Sequence, residues 1–256
     1  MSIRKIISSQ HILWNMAKKE LKAKYLGSVL GIWWAVITPF LMVTAITFVF
    51  TKIIRIDMKG FPLFSLAGIL PWFFFSISLS ESTSSLLHKA QVLKQFTFPR
   101  IFIPVSLVLA NFMNFLIGLL FVIPIFIFFN TKVLSALIAL PLLLILHFLF
   151  TVGIGLVFSC LNIFFRDISP LLGIILMFWF WMTPVFYSLD MVPVSYYWLF
   201  SLNPMTVYIR LYQDILFRAV VPSLSTFLNT FFISSGILLA GWLIFAKNED
   251  SFLKRI

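Results

Sequence analysis

The sequence predicts an all-α polytopic membrane protein with six transmembrane helices, and three observations carry that prediction. Long uncharged or nearly uncharged stretches recur at 26–51, 61–80, 101–131, 133–165, 168–189 and 219–246. Each is at least as long as the roughly 20 residues that cross a hydrocarbon core of about 30 Å at 1.5 Å per residue. Hydrophobic residues make up 61% of the chain and charged residues 11%, against about 45–50% and 25% in soluble domains. The 19 Lys and Arg residues also sort by side. Arg4, Lys5, Lys18, Lys19, Lys22, Lys24, Lys89, Lys94, Arg100, Arg166, Lys247, Lys254 and Arg255 fall in one set of connections. Lys52, Arg55, Lys59, Lys132, Arg210 and Arg218 fall in the other. The positive-inside bias puts both termini in the cytoplasm.

Taken in order, segment 10–25 spaces Leu13, Trp14, Ala17, Leu21 and Tyr25 at helical steps with Lys18, Lys19, Lys22 and Lys24 between them. This is the pattern of a basic interfacial helix. It serves either as an anchor to anionic lipid or as a collar around a substrate entrance or partner dock. The first span, 26–51, is too long and too far from the N-terminus for a cleavable signal peptide and is expected to act as its own signal. Gly27 and Gly31 at its start form a GxxxG pattern, which in a helix allows close approach of a neighbour and is a weak dimer signal.

The second span, 61–87, ends in the hydroxyl-rich SISLSESTSSLL around Glu81, which either lines a wet cavity or packs helices through small polar side chains. The connection 88–100, HKAQVLKQFTFPR, is longer than a plain connector needs. A short amphipathic helix ended by Pro99 fits it, and a docking role for a soluble partner explains its length. The third and fourth spans, 101–131 and 133–165, follow; the fourth contains His147, expected to be hydrogen-bonded within the bundle, and the lone Cys160, a small core hydrophobe. The fifth, 168–189, carries the aromatic run MFWFWMTPVFY. Segment 190–218 is broken by Pro193, Asn203 and Pro204 into pieces too short to cross, so two re-entrant or interfacial pieces are expected on the external side. In the second of these, Arg210, Asp214 and Arg218 recur every four residues and can pair. The last span is 219–246.

Several functions are disfavoured by what the residues lack. No glycine begins a GxxxxGK[ST] phosphate loop, so ATP hydrolysis in the usual way has no place on this chain. Ionisable groups within the spans are few, chiefly Glu81, His147 and the Arg166–Asp167 pair at a span end, which argues against a proton relay. The eight acids are scattered, apart from Glu249 and Asp250, which argues against a metal-dependent enzyme. Net charge of +11 reports orientation rather than nucleic-acid binding. Aromatics at 18% suit interfacial belts and lipid-facing bulk, and also a path along which sugar rings stack.

The phrases KELKAKYLGSVLGIWWAVITP (19–39), VLKQFTFPRIFIP (92–104), FFRDI (164–168), TPVFYS (183–188) and LNPMT (202–206) make the whole chain resemble the permeases of type-2 ABC exporters, in the polysaccharide-export (Wzm-like, O-antigen) branch. That resemblance implies a homodimer working with two copies of a separate Wzt-like nucleotide-binding subunit. ATP and magnesium belong on that partner and no cofactor on this chain. The implied cargo is undecaprenyl-diphosphate-linked polysaccharide, moved across the bacterial inner membrane. The resemblance makes Lys89, Val92, Leu93, Lys94, Phe96, Phe98, Pro99 and Arg100 the ATPase-coupling residues. Arg4, Lys18, Lys19, Lys22 and Lys24 become guides at the entrance for the carrier's phosphates. Trp33, Trp34, Trp179, Trp181, Phe186 and Tyr187 become aromatics lining the path. Teichoic acid, capsule or a small hydrophobic molecule are the alternative cargoes. A stand-alone ion-coupled carrier or lipid flippase is the rival of another class.

Overall fold

A computed structural model describes residues 10–55, 58–95 and 98–255, and among these every regular element is helical. Helix α1 (Gln10–Tyr25) precedes α2 (Gly31–Ile53), which opens with a 3-10 turn and closes with a π-helical turn. Then come α3 (Phe61–His88), α4 (Ala90–Gln95), α5 (Phe102–Phe129) and α6 (Val133–Phe164). After α7 (Ile168–Trp181), short α8 (Tyr197–Leu202) leads into α9 (Pro204–Leu216) and the long α10 (Leu224–Arg255).

Among the described residues, α2, α3, α5, α6 and α10 are long and apolar enough to span a membrane. The stretch expected as a fifth span behaves differently. Its helix α7 has 14 residues, about 21 Å at 1.5 Å per residue and short of the hydrocarbon core. Pro184 explains the stop, since it lacks an N–H and drives Thr183 out of the helical region. Thr183 hydrogen-bonds back to the Trp179 carbonyl at 2.7 Å, closing the last turn. Among the described residues there are therefore five helices long enough to span and one shorter apolar helix, where six spans are expected.

Helix α3 is the centre of the bundle: α5, α6, α9, α2 and α7 all pack on it, and 72% of its most apolar window is buried. The equivalent figure for α2 is 11%, which leaves that helix lying along the outside. The hydroxyl-rich end of α3 divides by face. Ser82, Thr83 and Ser85 are buried and bond carbonyls of their own helix, and Ser82 meets Gly155 of α6 so closely that a Cβ there would lie 2.8 Å from its Oγ. That face packs helices. Glu81, on the adjacent face, is part-exposed and meets Lys24 of α1 and Asn111 of α5.

Two boundaries move for backbone reasons. Gly27 (φ +76°) and Gly31 (φ +50°) lie in the left-handed region, with nothing within 4 Å of where a Cβ would sit. Both residues turn the chain from α1 into α2, and neither packs against another described helix of the same chain. The close approach falls elsewhere. A Cβ on Gly153 of α6 would lie 2.7 Å from the backbone of Ile237 in α10, and one on Gly241 would strike the Gly153 carbonyl. The last helix begins at Leu224, after Pro222 and a left-handed Ala219. It continues past 246 because Phe245 and Phe252 are both buried, stacked edge-on at 5.1 Å.

Candidate functional site

Three features carry polar chemistry: a basic collar, an ionic cluster between helices, and the broken segment after α7. The collar is built by α1, α4 and the end of α10. Lys89, at the end of α3, forms an ion pair with Glu20 of α1. Arg100 donates to the backbone carbonyl of Glu249 on α10, and Arg255 sits 4.6 Å over the ring of Phe164. Within α4, Leu93 turns inward at 5% exposure and Val92 outward at 39%. Lys94 lies in the last turn of α4, while Phe98 and Pro99 are half-buried. A groove of about 440 Å³ runs between α1 and this loop, lined by Ile12, Met16, Lys19, Glu20, Lys89, Val92 and Phe98. Arg4 and Phe96 lie outside the described residues.

The lysines of α1 separate by face. Lys18, Lys19 and Lys22 are exposed, with Lys18 resting 5.0 Å over the Trp14 ring. Lys24 points into the bundle instead. Its Nζ donates to Glu81 Oε1 of α3 at 2.7 Å and to Asn111 Oδ1 of α5 at 2.6 Å, and Asn111 Nδ2 donates to Glu81 Oε2 at 2.7 Å. Beside it the Tyr25 hydroxyl donates to the side chain of Asn114; burial raises the Tyr25 pKa, keeping that proton in place. Lys24, Tyr25, Asn111 and Asn114 floor a cavity of about 160 Å³ walled by Trp34, Phe73, Phe74 and Phe115. Asn111 and Asn114 escaped the sequence reading, although two amides three residues apart in an otherwise apolar span share a helix face and signal a polar contact.

In the broken segment, α9 dives back into the bundle against α3 and α6. Tyr208 bonds Ser234 at 2.6 Å, Tyr212 lies 3.3 Å from Nδ1 of buried His147, and Gln213 donates to the Pro184 carbonyl at 2.9 Å. The expected Asp214–Arg218 pair forms at 3.1 Å, while Arg210 is exposed. Asn203 joins this helix to the end of α7. Its Oδ1 accepts from Trp179 Nε1 at 2.6 Å and from the Met205 N–H at 3.0 Å. Its Nδ2 donates to the Met182 carbonyl at 3.0 Å and Thr183 Oγ1 at 2.9 Å.

The six chosen aromatics do not form one wall. Trp33 and Trp34 are exposed on the first turns of α2, and Trp181 is exposed at the end of α7. Trp179 packs edge-on against Phe75 at 5.2 Å. Phe186 is buried between Phe50 and Phe180, and Tyr187 donates to the Trp181 carbonyl at 2.8 Å.

A bundle of long apolar helices with a basic amphipathic collar defines a multi-pass membrane protein. More specifically, the chain belongs to the ABC-2 type transporter family, whose model matches residues 11–217. It is similar to two O-antigen export system permease proteins RfbA of Klebsiella pneumoniae. One is 33% identical over 78% of each chain, the other 31% identical over 93% of this chain and 92% of the relative. An O-antigen export system permease protein RfbA of Myxococcus xanthus is 27% identical over 99% of this chain and 98% of its own. In this family the permease is the transport subunit and ATP hydrolysis belongs to a separate subunit, so this chain works with an ATPase partner.

Proposed function

We propose that this chain is the membrane subunit of an ATP-driven exporter that passes undecaprenyl-diphosphate-linked O-antigen polysaccharide from the cytoplasm to the periplasm. The observation that carries the reading is similarity to O-antigen export permeases over nearly the full length of both chains. The chain acts as a homodimer in the bacterial inner membrane, both termini cytoplasmic, with two copies of a Wzt-like subunit that bind ATP and magnesium. Apolar faces of α2 and α7, exposing Leu41, Phe48, Ile174 and Phe178, suit the dimer axis.

Loop 88–100 seats in the ATPase through outward-facing Val92 with Lys94, Phe96, Phe98 and Pro99, backed by Leu93 and held to its own chain by Lys89 and Arg100. ATP-driven closure then tilts the attached spans as rigid bodies. Exposed Lys18, Lys19 and Lys22, with Arg4, attract the carrier's phosphates electrostatically. Trp33, Trp34 and Trp181 offer ring faces to the sliding glycan, and Trp179, Phe186 and Tyr187 support them from behind. The test is copurification from the native host followed by reconstitution. A stoichiometric ATPase whose turnover responds to the lipid-linked glycan supports the reading, and transport by this chain alone under an ion gradient rejects it.

A further inference from the structure

The inward lysine of α1 has no counterpart among its outward neighbours Lys18, Lys19 and Lys22, and its surroundings give it a distinct task. Glu20 and Lys24 are one helical turn apart on α1, so they share a face. Glu20 reaches Lys89 and Lys24 reaches Glu81, two positions two turns apart on α3. Asn111 of α5 closes the second contact by bonding both Lys24 and Glu81. Both side chains are part-exposed, 23% for Lys24 and 35% for Glu81, and a part-exposed ion pair contributes little to stability. An ion pair bridged by an amide at the junction of three helices therefore calls for a positional explanation. It lies directly before the left-handed turn at Gly27 that launches α2, so whatever holds Lys24 also sets where the first span begins.

We propose that Lys24, Glu81 and Asn111 form a positioning latch. It clamps the C-terminal end of α1 to α3 and α5, so that movement of loop 88–100 is delivered to α2 through the Gly27 turn. Glu81 and Asn111 are positioning residues for transport, and the charge of Lys24 is used inside the protein rather than on the carrier's phosphates. The inference rests on the exporter reading and replaces the phosphate-guiding role that the family resemblance implies for Lys24.

The test uses the complete exporter, this chain with its ATPase, in proteoliposomes carrying undecaprenyl-diphosphate-linked glycan from the host. Lys24→Glu, Glu81→Lys, Glu81→Gln and the exchanged pair Lys24→Glu/Glu81→Lys are compared. The first readout is glycan moved per ATP hydrolysed. The second does not depend on cargo: the mobility of a spin label at Ser28→Cys in a Cys160→Ser background, with and without ATP. The three single variants are expected to lower export per ATP by about tenfold, a magnitude typical of strongly coupled neighbours. They also free the label and abolish its response to ATP. The exchanged pair should recover both readouts to within about threefold, even where a single variant fails to accumulate. If the exchanged pair remains as impaired as Lys24→Glu while Glu81→Gln exports normally, Lys24 acts on the substrate and the latch is rejected. A label that responds to ATP equally in every variant also rejects it. Failure of the wild-type exporter to move glycan, with the label pattern intact, counts against the cargo and leaves the latch standing.

Discussion

Asn203 uses both donors and both acceptor positions of its amide on four partners from two segments, which makes it a heavily committed side chain of the broken segment. Asn203→Leu keeps the volume and strands Trp179 Nε1 and the Met205 N–H. Each unsatisfied buried group costs about 1–3 kcal/mol, so the detergent-solubilised protein should unfold several degrees lower, as a thermal melt will report. Glycines make an equally specific test. Gly153→Ala drives a methyl group into the α10 backbone and should sharply reduce folded yield. Gly236→Ala, with open space around its Cβ position, should be neutral or stabilise by up to about 1 kcal/mol through helix propensity. Equal behaviour of the two variants in the same melt would refute the close α6–α10 contact.

The six-residue α4 presents one residue to the fold and the next to its surroundings. Leu93 is buried in the fold and Val92 stands out from it, so neighbouring substitutions should separate stability from coupling. Val92→Asp is expected to leave yield and thermal stability unchanged and to reduce ATP-driven export at least about tenfold, the effect of losing a central interface anchor. Leu93→Asp places a carboxylate in the apolar core and should fail to accumulate. Folded protein yield and export per ATP, measured together, distinguish the two. Helix α7 carries a related lesson: its 14 residues end where Pro184 forbids another turn, and Asn203 then ties that end to α9. The shortened helix and α9 are therefore joined by side-chain bonds as well as by the chain between them.

For the molecule as a whole, the uneven burial of the long helices is the telling property. Helix α3 is enclosed, whereas α2 and α7 leave broad apolar faces uncovered. Lipid and a second copy of the chain both satisfy such faces, and the proposed homodimer selects the second. In a Cys160→Ser background, single cysteines at Leu41 on α2 or Ile174 on α7 should yield a disulfide-linked dimer on mild oxidation in native membranes. A cysteine at Phe128 on α5, 83% exposed, should not. Equal cross-linking at all three positions would point to random collision and against a dimer axis built by α2 and α7.

Much of this architecture was legible in the chain itself, because crossing a bilayer is a local requirement. Length and hydropathy of a stretch decide whether it can span, and basic residues report the side of its connections, so the all-helical polytopic class, the amphipathic α1 and the broken segment before α10 all follow from windows of about 20 residues. Partner choice is not local. Whether Lys24 faces lipid headgroups or Glu81 depends on how α1 is rotated and laid across α3 and α5, and no window of sequence encodes that rotation. The same holds for the glycines. Gly27 and Gly31 have the spacing of a packing motif yet take left-handed turns, while Gly153 and Gly241, far apart in sequence, provide the close contact. Only the tertiary structure decided which aromatics are exposed and which charges are paired, since burial is a property of neighbouring helices and not of the residue that becomes buried.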